Sequence, residues 1–291
     1  MHLIDVMRTA YTNTKAISGQ PTTLQKLCWL LLFFGIIGLA SAVVYTLTTN
    51  KVSSPTTAPT EVRLPYGSLE ELCDPITFMA AYLSVNCKPD LLRRTQSIRV
   101  TGTIERGGLS ENFTLIKKRP NKMRITIKRG SQEIIFGVSA NTVWQCIRAP
   151  EQEDQFARIE GEEATEWAAQ SRFFDWIISA SQGKGEIAGI DVERWAGNDS
   201  INVRVIDTYG NTYAIIIDPQ TLYPLAERQT LPDGKIIETI FKDYRDIDGL
   251  PTPFQLTISR DSKVVSKIQL NNSALNVGLL SELFELPSAL Q

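Results

Sequence analysis

"IRVTGTIERGGLSENFTLIKKRPNKMRITIKRGSQEIIFGV", residues 98–138, decides the fold. Short runs that alternate apolar and polar residues ("IRVTGTIE", "NFTLIKK", "KMRITIK", "EIIFGV") are separated by the turn sequences "RGG", "RPN" and "RGS", the pattern of an antiparallel meander. "TVWQCI" continues it, and after one interruption the pattern resumes in "SINVRVID", "TYAIIID", "YPLAERQTL", "IIETIFKDY", "PFQLTISR" and "VVSKIQLNN". The interruption, "EEATEWAAQSRFFDWIISAS" at 162–181, has no breaker and aligns Trp167, Phe174, Ile177 and Ile178, which predicts a single long helix. The expected class is α+β and mainly antiparallel, with about eleven strands. So long a sheet should curl into a half-open barrel with helices on its concave face.

Outward from this core, the chain of 291 residues leaves room for an appendage. From Leu27 to Leu47 there is no charged residue, which is long enough for one transmembrane helix. Arg8, Lys15 and Lys26 precede it and only Lys51 and Arg63 follow closely, so the expected orientation keeps the N-terminus in the cytoplasm. "ASA" at 40–42 admits a cleaved signal peptide as the competing reading. The expected organisation is a tail at 1–26, a membrane anchor or signal peptide at 27–49, a linker rich in Pro, Thr and Ser at 50–67, and a folded, exported domain at 68–291. The folded domain is then expected on the exported side of the membrane. Helices are expected around "SLEELCDPITFMAAYLSVNC", where Cys73 and Cys87 flank the second one and an exported domain makes a disulfide between them one of two readings, the other being two buried thiols.

"KKRPNKMRITIKRG", 117–130, concentrates positive charge in a chain whose formal net charge is −2. In a strand, Met123, Ile125 and Ile127 face one way and Lys122, Arg124 and Lys128 the other, so most of this charge forms an outward face. A solvated surface, or attraction to anionic headgroups, accounts for it better than nucleic acid, since interleaved surface aromatics are absent. Zinc-type ligand spacing is absent, so no metal or cofactor is expected. The only histidine, His2, precedes the apolar segment, which removes His-based triads from the folded domain. The acidic groups Glu160, Glu162 and Glu163, and Asp243, Asp246 and Asp248, fit a helix start and a turn, so the domain is expected to be non-enzymatic.

"LIKKRPNKMR", then "FGVSANTVWQ", then the ending "IQLNNSALNVGLLSELFELP" resemble the periplasmic lipoprotein-carrier (LolA-like) family, with its related outer-membrane acceptor and sigma-regulator proteins. The matching positions are Lys118 to Asn121, Trp144, Asn272, Phe284 and Pro287, and the resemblance spans about 68–287. It implies a half-open barrel holding a lipid, or the acyl chains of a lipoprotein, under a helical lid. By the same resemblance Arg119 would hold the lid and govern release, and Ile125, Ile127, Phe136, Trp144, Trp167, Phe174, Ile177 and Ile178 would line the cavity. The plain alternative for these apolar residues is a filled core. Two features depart from the family: the membrane tether, and Ser139-Ala140-Asn141-Thr142 in place of an Asp-Gly turn. A scaffold or sensor that binds an envelope protein partner is the second functional class, recognisable by an unpaired strand edge.

Overall fold

The computed structural model describes residues 64–139, 142–231 and 234–290. The apolar stretch at 27–47 lies outside the described residues, and among the described ones no helix is long and apolar enough to cross a membrane.

Three short helices come first: α1 (Leu69–Leu72), α2 (Pro75–Asn86) and α3 (Pro89–Arg94). Ser68 and Glu71 form a reciprocal capping box at α1, and Asp74 caps α2 by accepting from the Thr77 N–H, with Pro75 in the first turn where its missing donor costs nothing. Then come β1 (Ser97–Arg106), β2 (Leu109–Lys118), β3 (Lys122–Arg129), β4 (Gln132–Ser139), β5 (Thr142–Arg148) and β6 (Gln155–Ile159). Helices α4 (Gly161–Gln170) and α5 (Trp176–Ser181) lead to β7 (Glu186–Trp195), β8 (Asn198–Ile206), β9 (Thr212–Ile217), β10 (Pro224–Thr230), β11 (Ile236–Ile247), β12 (Leu250–Arg260) and β13 (Lys263–Leu275).

All strands join one 13-stranded antiparallel sheet in the order β6-β5-β4-β3-β2-β1-β13-β12-β11-β10-β9-β8-β7. The sheet does not close, because its two edges, β6 and β7, are consecutive in sequence and are bridged by α4 and α5 instead of by hydrogen bonds. Eleven strands were expected, and the two additional ones are these edges. Their faces are half-exposed on both sides, so neither carries the strong alternation that marks a strand in sequence.

The single helix expected at 162–181 is two helices. Asp175 interrupts it by capping α5, its side chain accepting from the Ile178 N–H at 2.7 Å. The disulfide reading also fails: Cys73 and Cys87 are both free thiols. The whole of α2 separates them, about 1.5 Å of rise per residue, well beyond the roughly 7 Å Cα reach of a disulfide.

Alternation along β3 is as expected, with Met123, Ile125 and Ile127 buried on the inner face. That face, with residues from α1 to α5, forms one large core. The outer face carries a second, smaller cluster of Ile135, Trp144 and Cys146, covered by Phe156, Leu286 and Leu290. Two 3-10 turns, Ser281–Phe284 and Ser288–Leu290, bring the C-terminal segment over it. Here Trp144 lies across Gly137 of the paired strand, and a Cβ at Gly137 would stand 2.1 Å from its Cε2. Gly137→Ala is therefore expected to cost about 1–3 kcal/mol by overpacking. Denaturant unfolding checks this, and an unchanged midpoint would mean that the ring has a second place to lie.

Candidate functional site

The site is the inner face of the half-barrel together with the helices that cover it. Ile125 and Ile127 of β3 and Phe136 of β4 enter it from the sheet, and Trp167 of α4, Phe174 of the α4–α5 link, and Ile177 and Ile178 of α5 meet them from the helical side. Trp167 is fully buried and stacks on Phe136, with ring centroids 4.6 Å apart and planes 17° apart. These seven expected cavity residues are brought together. Trp144 is not with them: Val143 and Gln145 take the inward positions of β5, so alternation turns Trp144 to the outer cluster.

The basic stretch holds the cover in place. Lys117 is buried at the inner end of β2, where its Nζ donates to the carbonyl oxygens of Gln170 at 2.7 Å and Arg172 at 2.8 Å. Those carbonyls belong to the end of α4 and the residues just after it, where helix geometry leaves acceptors without intrahelical donors. Arg119 Nη2 donates to the Leu92 carbonyl of α3 at 2.5 Å, and its guanidinium stands 5.4 Å and 4.9 Å from the ring centres of Phe173 and Phe174. One side chain thus ties α3 to the α4–α5 link. On the outer side, Lys118 donates to the Leu279 carbonyl at 2.7 Å and Arg124 to the Leu283 carbonyl at 3.2 Å, while Arg158 of β6 reaches the Leu290 carbonyl at 2.6 Å. Much of the charge that looks like a solvated face in sequence is spent on backbone carbonyls of elements that the chain supplies later.

Sequence reasoning missed the polar lining of the cover. Tyr82 of α2 donates to Asp175 Oδ2 at 3.2 Å, Asn86 reaches the Leu222 carbonyl at 2.8 Å, and Tyr244 of β11 donates to the Pro224 carbonyl at 2.7 Å. Burial, with the Asp175 charge second, pushes both tyrosine hydroxyls well above their ordinary range, and burial pushes the Cys87 thiol up to about 12. The position of Lys117 could have been found by counting in twos from Phe113 and Leu115, both inward residues of the same strand. Nothing in the local sequence links Tyr82 to Asp175, which is 93 residues away.

The helices fill the concavity. Between Tyr82, Phe173, Phe174, Asp175 and Tyr244 there remains a cavity of about 30 Å³, and beneath Trp176 and Ile177, against Glu227 and Phe241, one of about 20 Å³. Each is the size of a water site, roughly tenfold below the ~300 Å³ at which ligand pockets begin. Trp176 sits at the centre of the plug, stacked on Tyr213 at 4.0 Å and donating to Glu227 at 3.3 Å, with the Arg172 guanidinium across its other face.

No known family model matches the sequence, and no curated relative matches it. Among solved structures, a DUF1329 family protein from Desulfovibrio piger superposes with a TM-score of 0.51 at 17% identity, over 73% of this chain and 99% of that one. A LolA superfamily protein from Nitrosomonas europaea gives 0.48 at 12% identity, over 73% and 97%. The chain shares its fold with the DUF1329 family protein. The Pseudomonas aeruginosa MucA/MucB complex gives 0.26 at 13% identity, over 74% of this chain and 62% of that one. Identities this low speak to the fold alone. The turn Lys118 to Asn121, on which the family resemblance rests, is the turn from which Arg119 reaches the helical cover, and Phe284 is fully buried in the C-terminal segment.

Proposed function

We propose that the protein is a membrane-tethered, non-enzymatic binding protein of the bacterial envelope that takes lipid or acylated-protein chains between its half-barrel and its helical cover. The observation that carries this reading is the construction of the cover. Its underside is apolar along α4 and α5, no strand pairing anchors it, and it is held at its rim by side-chain donors on carbonyls, with Lys117 and Arg119 foremost. Such a cover can lift as a unit, and each methylene it then shelters contributes about 0.8 kcal/mol. The filled, clasped arrangement leaves no room for an acyl chain, so the clasp competes with cargo.

It follows that Arg119→Leu favours the lifted state and holds cargo more firmly. Loss of a charge-assisted hydrogen bond of about 1.5–3 kcal/mol corresponds to roughly tenfold slower release or more. Native mass spectrometry with solvent extraction, applied to residues 61–291 of the wild type and the variant, tests both statements. A co-purifying fatty acid, phospholipid or acylated peptide, retained longer by the variant, is the expected result. A ligand-free mass that also fails to take up a fluorescent fatty acid removes the carrier reading.

One observation favours the scaffold reading in that event. β7 runs for ten residues with no strand beyond it, and an extended peptide could pair with that edge.

A further inference from the structure

The alternation of strand directions puts the β1–β2, β8–β9, β10–β11 and β12–β13 turns at one end of the sheet. These four turns carry Leu109 (61% exposed), Tyr209 (52%), Ile236 (47%), and Val264 and Val265 (51% and 46%), five of the nine large hydrophobic side chains that stand exposed among the described residues. Single exposed apolar residues are ordinary, but four turns each carrying one or two at the same end is a concentration.

Register explains the most prominent of them. β1 pairs with β13 only as far as Glu105 opposite Lys267, whereas β13 continues back to Lys263 opposite Arg260, so the β12–β13 hairpin projects past its neighbour. A notch of about 430 Å³ opens beside it, between Gly107, Gly108 and Leu109 on one side and Val264, Val265 and Ser266 on the other.

Basic residues set these four turns apart both from the opposite end and from the β5–β6 turn, which lies at the same end of the sheet and carries exposed Glu151 and Glu153. Lys235, Arg260, Lys263 and Lys267 are exposed here. The acids among them are Glu105 and Asp261, and Asp261 is occupied in accepting from the Ile236 N–H. At the opposite end of the same half of the sheet, the β9–β10 and β11–β12 turns carry Asp218, Asp246 and Asp248.

We propose that this end of the half-barrel docks on an anionic bilayer surface, with Leu109, Val264 and Val265 entering the interface and Lys263 and Lys267 facing the headgroups. Aliphatic tips ringed by lysine fit the interfacial region of such a surface, where each nearby cation adds attraction. The sequence supplies the proximity. Tethering through the apolar stretch at 27–47, part of the function proposed above, would keep the domain beside such a surface. The proposal rests on the tethered part of the reading above, and not on its cargo.

The test uses the full chain, with Cys28 and Cys73 replaced by Ser, reconstituted into vesicles of phosphatidylcholine with or without phosphatidylglycerol. An environment-sensitive dye is placed at Val264→Cys or, as a control at the opposite end, at Gln220→Cys. Co-flotation of protein with vesicles reports the anchor, and dye emission reports the tip, so the two can fail separately. The expected result is blue-shifted emission, quenched by nitroxide lipid, at 264 but not at 220, only when phosphatidylglycerol is present. Lys263→Glu with Lys267→Glu should weaken that signal by about tenfold or more. Water-like emission at 264 in floated, anionic vesicles overturns the proposal. So does a shift at 264 that depends on protein concentration and not on lipid, which would assign the tip to a second copy of the chain.

Discussion

Trp167→Ala is expected to lose about 3–5 kcal/mol of stability, the range for removing a fully buried aromatic side chain from a core. The indole is the largest fully buried side chain, it stacks on Phe136, and its Nε1 donates to Glu163 at 3.3 Å, so α4 has nothing equivalent with which to fill the vacancy. Denaturant unfolding measures the loss. A second readout tests function, because the space left under α4 lies between the cover and the sheet, where cargo is proposed to sit. The variant should take up a fluorescent fatty acid more readily than the wild type. A small stability change would mean that α4 collapses onto the sheet, and an undiminished core with no uptake would leave the inner face as packing alone.

Glu111→Gln is expected to cost about 3 kcal/mol or more, for a different reason. Glu111 lies buried at the distal end of the inner face, where it accepts from Arg106 Nε at 2.8 Å and from Arg129 Nε. Burial alone would raise its carboxyl pKa, but the hydrogen bonds and charges of Arg129 and Arg106 outweigh it and hold the group below its ordinary value. Neutralising it leaves buried guanidinium charge uncompensated, the costly half of a broken buried pair. The sign with pH follows from the depressed folded value. The contribution is fully present above the ordinary carboxylate range near 4.3 and is lost as pH falls through the lower folded value. Wild type and variant should therefore differ most at neutral pH and converge in acid. Parallel stability curves across that range would show that the carboxylate's charge contributes nothing.

Legibility followed burial. β1 to β5 and β8 to β13 were readable because one face of each is packed in the core, which writes a period of two into the residues. β6 and β7 were not, since an edge strand with two half-exposed faces needs no such pattern. The break at Asp175 was hidden for a related reason: a cap residue in an otherwise apolar run looks like one polar position on a helix. Among site residues, the inward facing of Ile125 and Ile127 was legible from alternation and the shared face of Trp167, Phe174, Ile177 and Ile178 from helical spacing, while Arg119 was singled out by the resemblance of its turn. Trp144 was misplaced because β5 was read by its hydrophobicity and not by its parity with Val143. The carbonyl partners of Lys117, Lys118 and Arg124 could not be read at all, as they lie 53 to 161 residues further along the chain.

The sheet order has a kinetic side. β1 has two partners, β2 beside it in the chain and β13 at the far end, and the β1–β13 ladder joins residues as distant as Ile98 and Leu275. A chain made from its N-terminus can assemble β1 through β6 as a meander, but β1 then waits with a bare edge until the last strand emerges. Native structure is thus withheld until β13 has been made, and in that interval the half-formed sheet is most open to mispairing. The long loop closure required makes this a slow step by topology alone. Proline and charge cannot protect β1, because its open edge must later accept β13, so any protection during the wait has to come from outside the chain.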